Sequence, residues 1–335
     1  MKHFPIRRRV LSGGDGGAVQ AVDGVSFSVG RGETVGLVGE SGCGKSTIGR
    51  CMLKLEEPTG GQIFFDGADI AAFDGRRTRV FRRRVQAVFQ DPFSSLNPRM
   101  TVEEIVGEPL LVHGIEAERI GRLRCVRELL SVCGLPARLV DRYPHEMSGG
   151  QRQRVGIARA LALRPDFIVC DEAVSALDVS IQAQIVRLLE DLREEFGLTY
   201  LFIGHDLSVV RHICQRVAVM YLGRIVEIAD CDTLFEDPRH PYTRALLASV
   251  TVPDPEIEHR REHQVIQGEI PSPMNPPSGC AFHPRCPLAD ASCRRAVPAL
   301  QAVGDDHYAA CPKVGQASPD RPWFAGTSER NSISA

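Results

Sequence analysis

A chain of 335 residues has room for two domains, or for one large domain with an appendage. Its 43% hydrophobic and 6% aromatic content describes a globular protein with an aliphatic core, and a formal net charge of -2 excludes a polycation built to coat nucleic acid. Eleven cysteines, an odd number, speak against a secreted disulfide framework, and no apolar run approaches the roughly 18 residues that span a bilayer.

The N-terminus, MKHFPIRRRVLSGGDGG, has basic residues with no apolar segment behind them, so it does not read as a signal peptide; the expected location is the cytosol. Residues 18–38 read as strands: Val25, Phe27 and Val29 alternate, and Thr34 to Val38 is a short apolar run ending in glycine. A helix is expected from about Ser46 to Leu55, and strands over 62–65 and 85–89. Ahead of the latter lie Arg76, Arg77, Arg79, Arg82, Arg83 and Arg84, read as a solvated helix face in preference to a nucleic-acid or anionic-lipid patch. Between about 100 and 165 the pattern is helical: Thr101 and Glu104 form a capping box, 120–133 is amphipathic, and 151–163 carries the 3.6-residue period. Strand and helix then alternate through 167–170, 181–196, 199–203, 207–214 and 216–221. A helical insertion inside that alternation implies a parallel α/β core with a helical subdomain. At Val250 the composition turns proline-rich, which reads as a linker into a small C-terminal domain.

Gly39-Glu40-Ser41-Gly42-Cys43-Gly44-Lys45-Ser46-Thr47 satisfies G-x-x-x-x-G-K-[ST] between an expected strand and an expected helix. Its glycines let successive N–H groups face phosphate oxygens, and the helix start adds the positive end of its dipole. Lys45 supplies a mobile cation for the β and γ phosphates and Ser46 a hydroxyl for Mg²⁺, so ATP or GTP is the implied ligand. Cys43 reads as a small residue that fits the loop, with a thiol activated by the helix start as the alternative. The apolar strand 167–170 runs into Asp171 and Glu172, placing two carboxyl groups at the ligand-binding edge of a parallel sheet. Asp171 is the candidate to hold Mg²⁺ through water and Glu172 the candidate general base. Ser148-Gly149-Gly150-Gln151 opens another helix, a second anion-cradling start in one chain. Gln90 and His205 each follow an expected strand and by themselves say little.

In this order, the segments resemble the nucleotide-binding subunits of ATP-binding-cassette transporters. Gly39–Thr47 is the phosphate loop, Gln90 the glutamine loop, Ser148–Gln151 the signature, Asp171-Glu172 the acidic strand end, Ser175–Asp178 the loop after it, and His205 the switch histidine. The resemblance implies an α/β P-loop NTPase of the ABC ATPase type over residues 1–250: a RecA-like parallel-sheet core, an N-terminal antiparallel β-subdomain and a helical subdomain at about 92–165. A small cysteine-rich C-terminal domain, 251–320, and a disordered tail, 321–335, complete the expected organisation. The resemblance also implies that ATP is held between one subunit's phosphate loop and the partner's signature. Ser46, Gln90 and Asp171 would ligate Mg²⁺, Glu172 would activate water, and His205 would meet the γ-phosphate. Phe4 is the candidate adenine-stacking aromatic, with the strand that normally precedes it missing, as a misassigned start would explain.

The longer runs Gln90–Thr101, Arg142–Ser148 and Cys170–Gln184, with His240–Leu247 and Gly268–Pro277, look like the dipeptide and oligopeptide importers, and like the second ATPase of their pair. Expected partners are a related ATPase or a second copy of this chain, two membrane permease subunits at the cytoplasmic face, and, indirectly, an extracytoplasmic binding protein; nucleic acid is not among them. Nickel, glutathione or oligosaccharide are alternative cargoes, and a soluble ATPase acting on DNA or ribosomes is the rival class. Met147, Ala173 and Gly204 stand where leucine, proline and serine are usual. Cys280-x5-Cys286-x6-Cys293-x17-Cys311 sits in a glycine- and proline-rich module with little core, which suggests a bound metal. The resemblance points to a [4Fe–4S] cluster; zinc, with His283 or His307 replacing a thiolate, and unliganded thiols stay open.

Overall fold

The structure, a computed structural model, describes residues 1–6, 17–91, 95–249, 266 and 268–314. The expected tail 321–335, most of the proline-rich linker and residues 92–94 of the glutamine loop lie outside the described residues.

The chain opens with an antiparallel pair, β1 (Lys2–Pro5) and β2 (Ala18–Val22), in which Phe4 lies opposite Val19. The strand expected to continue from β2 does not form: β3 is Thr34–Val38, and residues 23–33 join no ladder. An extended segment becomes a strand only where a neighbour completes its ladder hydrogen bonds, and none does so here among the described residues. The alternation is still put to use, since Val25, Phe27 and Val29 pack on the core and line an apolar cleft of about 660 Å³ with Ile63, Phe65 and Phe81.

Helix α1 (Lys45–Met52) follows β3, and the strand expected at 62–65 shortens to β4 (Phe64–Phe65), which pairs with β5 (Ala68–Asp69). In α2 (Gly75–Arg84), capped by Asp74, only Phe81 is buried; it packs edge-on against Phe65 and Phe73 while the arginines other than Arg84 are exposed. After β6 (Val85–Val88) come α3 (Val102–Val112), with the expected Thr101–Glu104 capping box, α4 (Arg119–Val132) and α5 (Gly149–Leu161). These three helices pack on one another as the inserted helical layer. The chain continues through β7 (Phe167–Asp171), α6 (Val179–Phe196), β8 (Thr199–Ile203), α7 (Leu207–Ile213), β9 (Arg216–Tyr221), β10 (Arg224–Asp230), α8 (Cys231–Glu236) and α9 (Pro241–Ala248). Two short strands close it, β11 (Gln301–Gly304) and β12 (His307–Ala309).

The main sheet runs β11-β12-β10-β9-β3-β8-β7-β6, parallel from β9 to β6 and antiparallel beyond. Its central strands are buried on both sides, and the two-residue pleat sorts their side chains. Val35, Leu37, Phe167, Val169, Leu201 and Ile203 join the α1 side of the core, whereas Ile168, Cys170, Tyr200 and Phe202 join the side covered by α5 to α7. The closing hairpin adds to this sheet through β10, pinned by Glu227, which is fully buried. Its carboxyl oxygens accept from His307 Nε2 at 2.7 Å and from the Arg239 and His240 N–H groups at 2.6 and 2.8 Å. No helix among the described residues is long and apolar enough to cross a membrane.

Candidate active site

Three strands that neighbour one another in the sheet, β3, β8 and β7, end on the same edge, and each hands its following loop a reactive group. After β3 the backbone turns at Gly39 and Gly44, with φ of 148° and 105°. A Cβ at Gly39 would stand 2.1 Å from the Met220 carbonyl oxygen, and one at Gly44 2.0 Å from that of Ala21, so no other residue fits either place. The loop closes over the buried Lys45, whose ammonium donates to the carbonyls of Gly39 at 2.7 Å and Glu40 at 3.0 Å. Cys43 is buried beneath the loop; burial pushes its thiol up, with Lys45 opposing.

The next residue on α1, Ser46, donates its hydroxyl to Asp171 Oδ1 at 2.8 Å across 125 residues of sequence. This brings together two hard oxygen donors at a half-buried place, a donor set that fits Mg²⁺. Burial raises the Asp171 carboxyl above the usual range, the Ser46 hydrogen bond lowers it, and the neighbouring Glu172 raises it again. Glu172 adopts a left-handed φ of 50°, and its N–H donates to Ile203 O at 2.9 Å, which binds the turn after β7 to the end of β8. Ala173, where a proline is usual, is buried there. Two residues past β8, the exposed His205 brings Nδ1 to 3.7 Å from Glu172 Oε2. This is beyond hydrogen-bond reach but close enough for one water or phosphate oxygen to touch both. Asp206 holds the histidine's backbone in place by capping α7. Gly204 packs under Phe202 and Val210 with little room for a larger residue.

Gln90 is exposed just past β6 and lines, with Asp171, Arg50, Arg82, Glu108 and Arg159, a groove of about 790 Å³ between the sheet edge and the helical layer. Ser148–Gln151 opens a helix, as expected. Ser148 caps α5, accepting from Gln151 N–H at 3.3 Å, while Gln151 Oε1 accepts from Ser148 N–H at 3.1 Å. Ser148 is exposed, Met147 is buried in the core in place of leucine, and Gly149 and Gly150 pack against Leu177 and Ile181. Asp178 is exposed at the start of α6 and makes no side-chain capping bond. Phe4 is half-buried on β1 with the Lys2 ammonium 4.8 Å from its ring centre.

Sequence reading missed the second support of the phosphate loop. Glu40 N–H donates to Tyr242 OH at 2.9 Å, and the Glu40 carboxyl receives both terminal nitrogens of Arg285, at 2.7 and 3.0 Å. No local signal marks either contact; the first spans 202 residues and the second 245.

Of the C-terminal cysteines, Cys293 is buried and Cys280, Cys286 and Cys311 are half-buried. Cys280 N–H donates to Cys293 O at 2.8 Å, and Lys313 N–H to Cys311 Sγ at 3.4 Å. Burial pushes the Cys311 thiol up to about 11, with the Lys313 N–H opposing and the other three thiols adding to the rise. Among the described residues, however, no three His, Cys, Asp or Glu side chains converge on a common metal position.

A glycine-bound lysine, an acid pair and a histidine assembled on one edge of a parallel sheet define a P-loop ATPase of the ATP-binding-cassette class. Residues 22–175 match the ABC transporter family, and residues 226–293 match the oligopeptide/dipeptide transporter C-terminal region. The chain belongs to the ABC transporter ATP-binding family. It is 54% identical over 311 residues to the oligopeptide transport ATP-binding protein AppF of Bacillus subtilis, covering 92% of this chain and 94% of that one. A Brucella ovis protein named for peptide import is 56% identical over 312 residues, with the same coverage. Among solved structures, the dimeric ATP-binding cassette MJ0796 bound to ADP and Pi is 31% identical with a TM-score of 0.60, covering 69% of this chain and 96% of that one. The cbiO1 subunit of Clostridium perfringens, part of the ABC transporter complex cbiONQ, is 27% identical with a TM-score of 0.59, covering 70% and 88%.

Proposed function

We propose that this ATPase powers import of dipeptides or oligopeptides as the peripheral subunit of a membrane transporter, on its cytoplasmic face. The names of its relatives support the cargo class, and the 2.8 Å contact between Ser46 and Asp171 carries the chemistry. With ATP present, Lys45 leaves its two carbonyls to meet the β and γ phosphates, while Ser46, Asp171 and Gln90 would hold Mg²⁺, which neutralises charge on the phosphates. Glu172 polarises the attacking water from a position fixed by the β7–β8 hydrogen bond, and His205 reaches the same side to hold the γ-phosphate. Phe4 stacks on adenine.

Ser148 to Gln151, on the helical layer with Ser148 exposed, serve the nucleotide of a second ATPase, as does Asp178, exposed at the start of α6. The second ATPase is a related chain, with a homodimer as the alternative. The groove at Gln90 reaches from the Mg²⁺ ligands to the surface, so a permease segment seated in it senses the nucleotide. Domain limits follow the same reading: 1–250 for the ATPase, with 92–165 helical, then 251–320 for the C-terminal domain.

Cys280, Cys286, Cys293 and Cys311 hold a [4Fe–4S] cluster, with zinc as the alternative. Four soft thiol donors in one region suit either, provided the sulfurs draw together on binding. Co-purification of the membrane subunits with the tagged chain, followed by peptide-stimulated ATP hydrolysis in vesicles, tests the transport reading. Stimulation by nickel or oligosaccharide in place of peptides would reassign the cargo.

A further inference from the structure

The phosphate loop is gripped from outside the nucleotide site by the same segment that carries the C-terminal cysteines. Arg285, the residue before Cys286, has only 6% of its side chain exposed and makes a two-pronged ion pair with Glu40, the second residue of the loop. Its Nη1 also donates to Tyr221 OH at 3.4 Å. The platform beneath it is aromatic: Phe282, whose carbonyl accepts from Arg285 N–H, sits 5.3 Å ring to ring from both Tyr221 and Tyr242. Tyr242 in turn holds the Glu40 N–H. Glu40 is thus fixed at both backbone and carboxyl by residues outside the Gly39–Thr47 loop, and its carbonyl is one of the two that seat the Lys45 ammonium in the empty site.

A buried guanidinium paired with a half-buried carboxyl is costly unless the pair is complete. The sequence separation of 245 residues makes the contact wholly dependent on docking of the C-terminal segment. We propose that Arg285 is a positioning residue for the phosphate loop: by fixing Glu40 it holds the loop in the curl that cradles phosphate, so that the cysteine-bearing segment determines affinity for MgATP. The inference rests on the reading that Gly39–Thr47 holds the phosphates. It adds that nucleotide affinity is governed from the far end of the chain, and that loosening the segment around Cys286 weakens binding without altering the hydrolytic groups.

The test is a double-mutant cycle on the full chain, with MgATP affinity measured by calorimetry and kcat measured in the assembled transporter. Arg285→Met and Glu40→Gln each weaken MgATP binding about tenfold, as expected for loss of a hydrogen-bonded charge pair. The double variant is no weaker than about twice either single, because both remove one interaction. At saturating ATP, the kcat of Arg285→Met stays within about twofold of the parent, since the lost binding is common to ground and transition states. Arg285→Lys, which keeps the charge but not the two-pronged geometry, restores part of the affinity and carries the test if the methionine variant does not fold. Affinities within about twofold of the parent, effects that multiply in the double variant, or a fall in kcat at unchanged KM overturn the proposal. Lys45→Ala serves as the control: if it still binds MgATP normally, the site assignment fails, whatever Arg285 does.

Discussion

Glu227 is the most demanding test of how the C-terminal hairpin is held. It is fully buried, and its two oxygens accept three hydrogen bonds, from His307 Nε2 at 2.7 Å and the N–H groups of Arg239 and His240 at 2.6 and 2.8 Å. Glu227→Leu leaves all three donors without an acceptor inside the fold, at about 1–3 kcal/mol each. The side chain's own desolvation cost is recovered, which leaves a net loss of about 3–5 kcal/mol. Each kcal/mol moves the midpoint by about 2–4 °C for a domain of 150–250 residues, so the apparent Tm falls by about 6–20 °C. Glu227→Gln keeps one acceptor and turns a donor toward another donor, and costs about half as much. Thermal unfolding followed by circular dichroism reads the total, and amide hydrogen exchange reads the site, where the Arg239 and His240 amides lose protection first. A drop of less than about 2 °C with both amides still protected would refute the claim that this carboxyl pins the hairpin.

Other expectations follow from the active site. Lys45→Ala abolishes MgATP binding in a calorimetric titration, whereas Glu172→Gln binds MgATP but hydrolyses it about 10²–10⁴-fold more slowly, the usual worth of a general base; full turnover by the glutamine variant would reassign the base. Burial raises the Asp171 carboxyl, so its ionised form destabilises the empty protein: this stability is present below the unfolded pKa and lost as pH rises through the folded one. Asp171→Asn therefore melts higher than the parent at neutral pH without nucleotide, an advantage that shrinks on acidification, and it binds Mg²⁺ nucleotide poorly; equal melting at neutral pH would contradict this. Gly44→Ala places a methyl 2.0 Å from the Ala21 carbonyl oxygen at a φ of 105°, and is expected to abolish nucleotide binding; normal titration would show that the loop has an alternative path. Anaerobic purification with metal analysis and a visible spectrum is expected to show iron bound through the four C-terminal cysteines, and Cys286→Ser to lower its content; a colourless chain containing zinc, or no metal, would decide for the alternatives.

The strand-to-helix turn at Gly39–Thr47, the strand end at Asp171, the helix start at Ser148 and the Thr101–Glu104 cap were legible because each is local. A glycine at a strand end, a serine three residues before its capping glutamine and an apolar run stopping at Asp171 all declare themselves within ten residues. The strand pattern at Val25, Phe27 and Val29 was misleading because alternation reports which face is buried, and whether a ladder forms depends on a neighbour supplied from elsewhere. The reach of Arg285 to Glu40, and of His307 to Glu227, has no local signature at all. The first pair depends on how the segment around Phe282 packs on Tyr221 and Tyr242, the second on how β12 adds to the sheet, and composition showed only that the segment is proline- and cysteine-rich.

The central claim is that each ATP is shared, with Lys45's loop on one chain and the partner's signature closing over the same nucleotide. ATP trapped by the assembled transporter in a hydrolysis-deficient background tests it most directly. Lys45→Ala in this chain and loss of the signature serine in the partner strike one nucleotide, so together they trap as much ATP as either alone. Lys45→Ala combined with Ser148→Arg in this chain strikes both nucleotides, and trapping disappears. If instead the two substitutions on this chain trap as much as either one alone, its loop and signature serve the same nucleotide and the shared-site account is wrong.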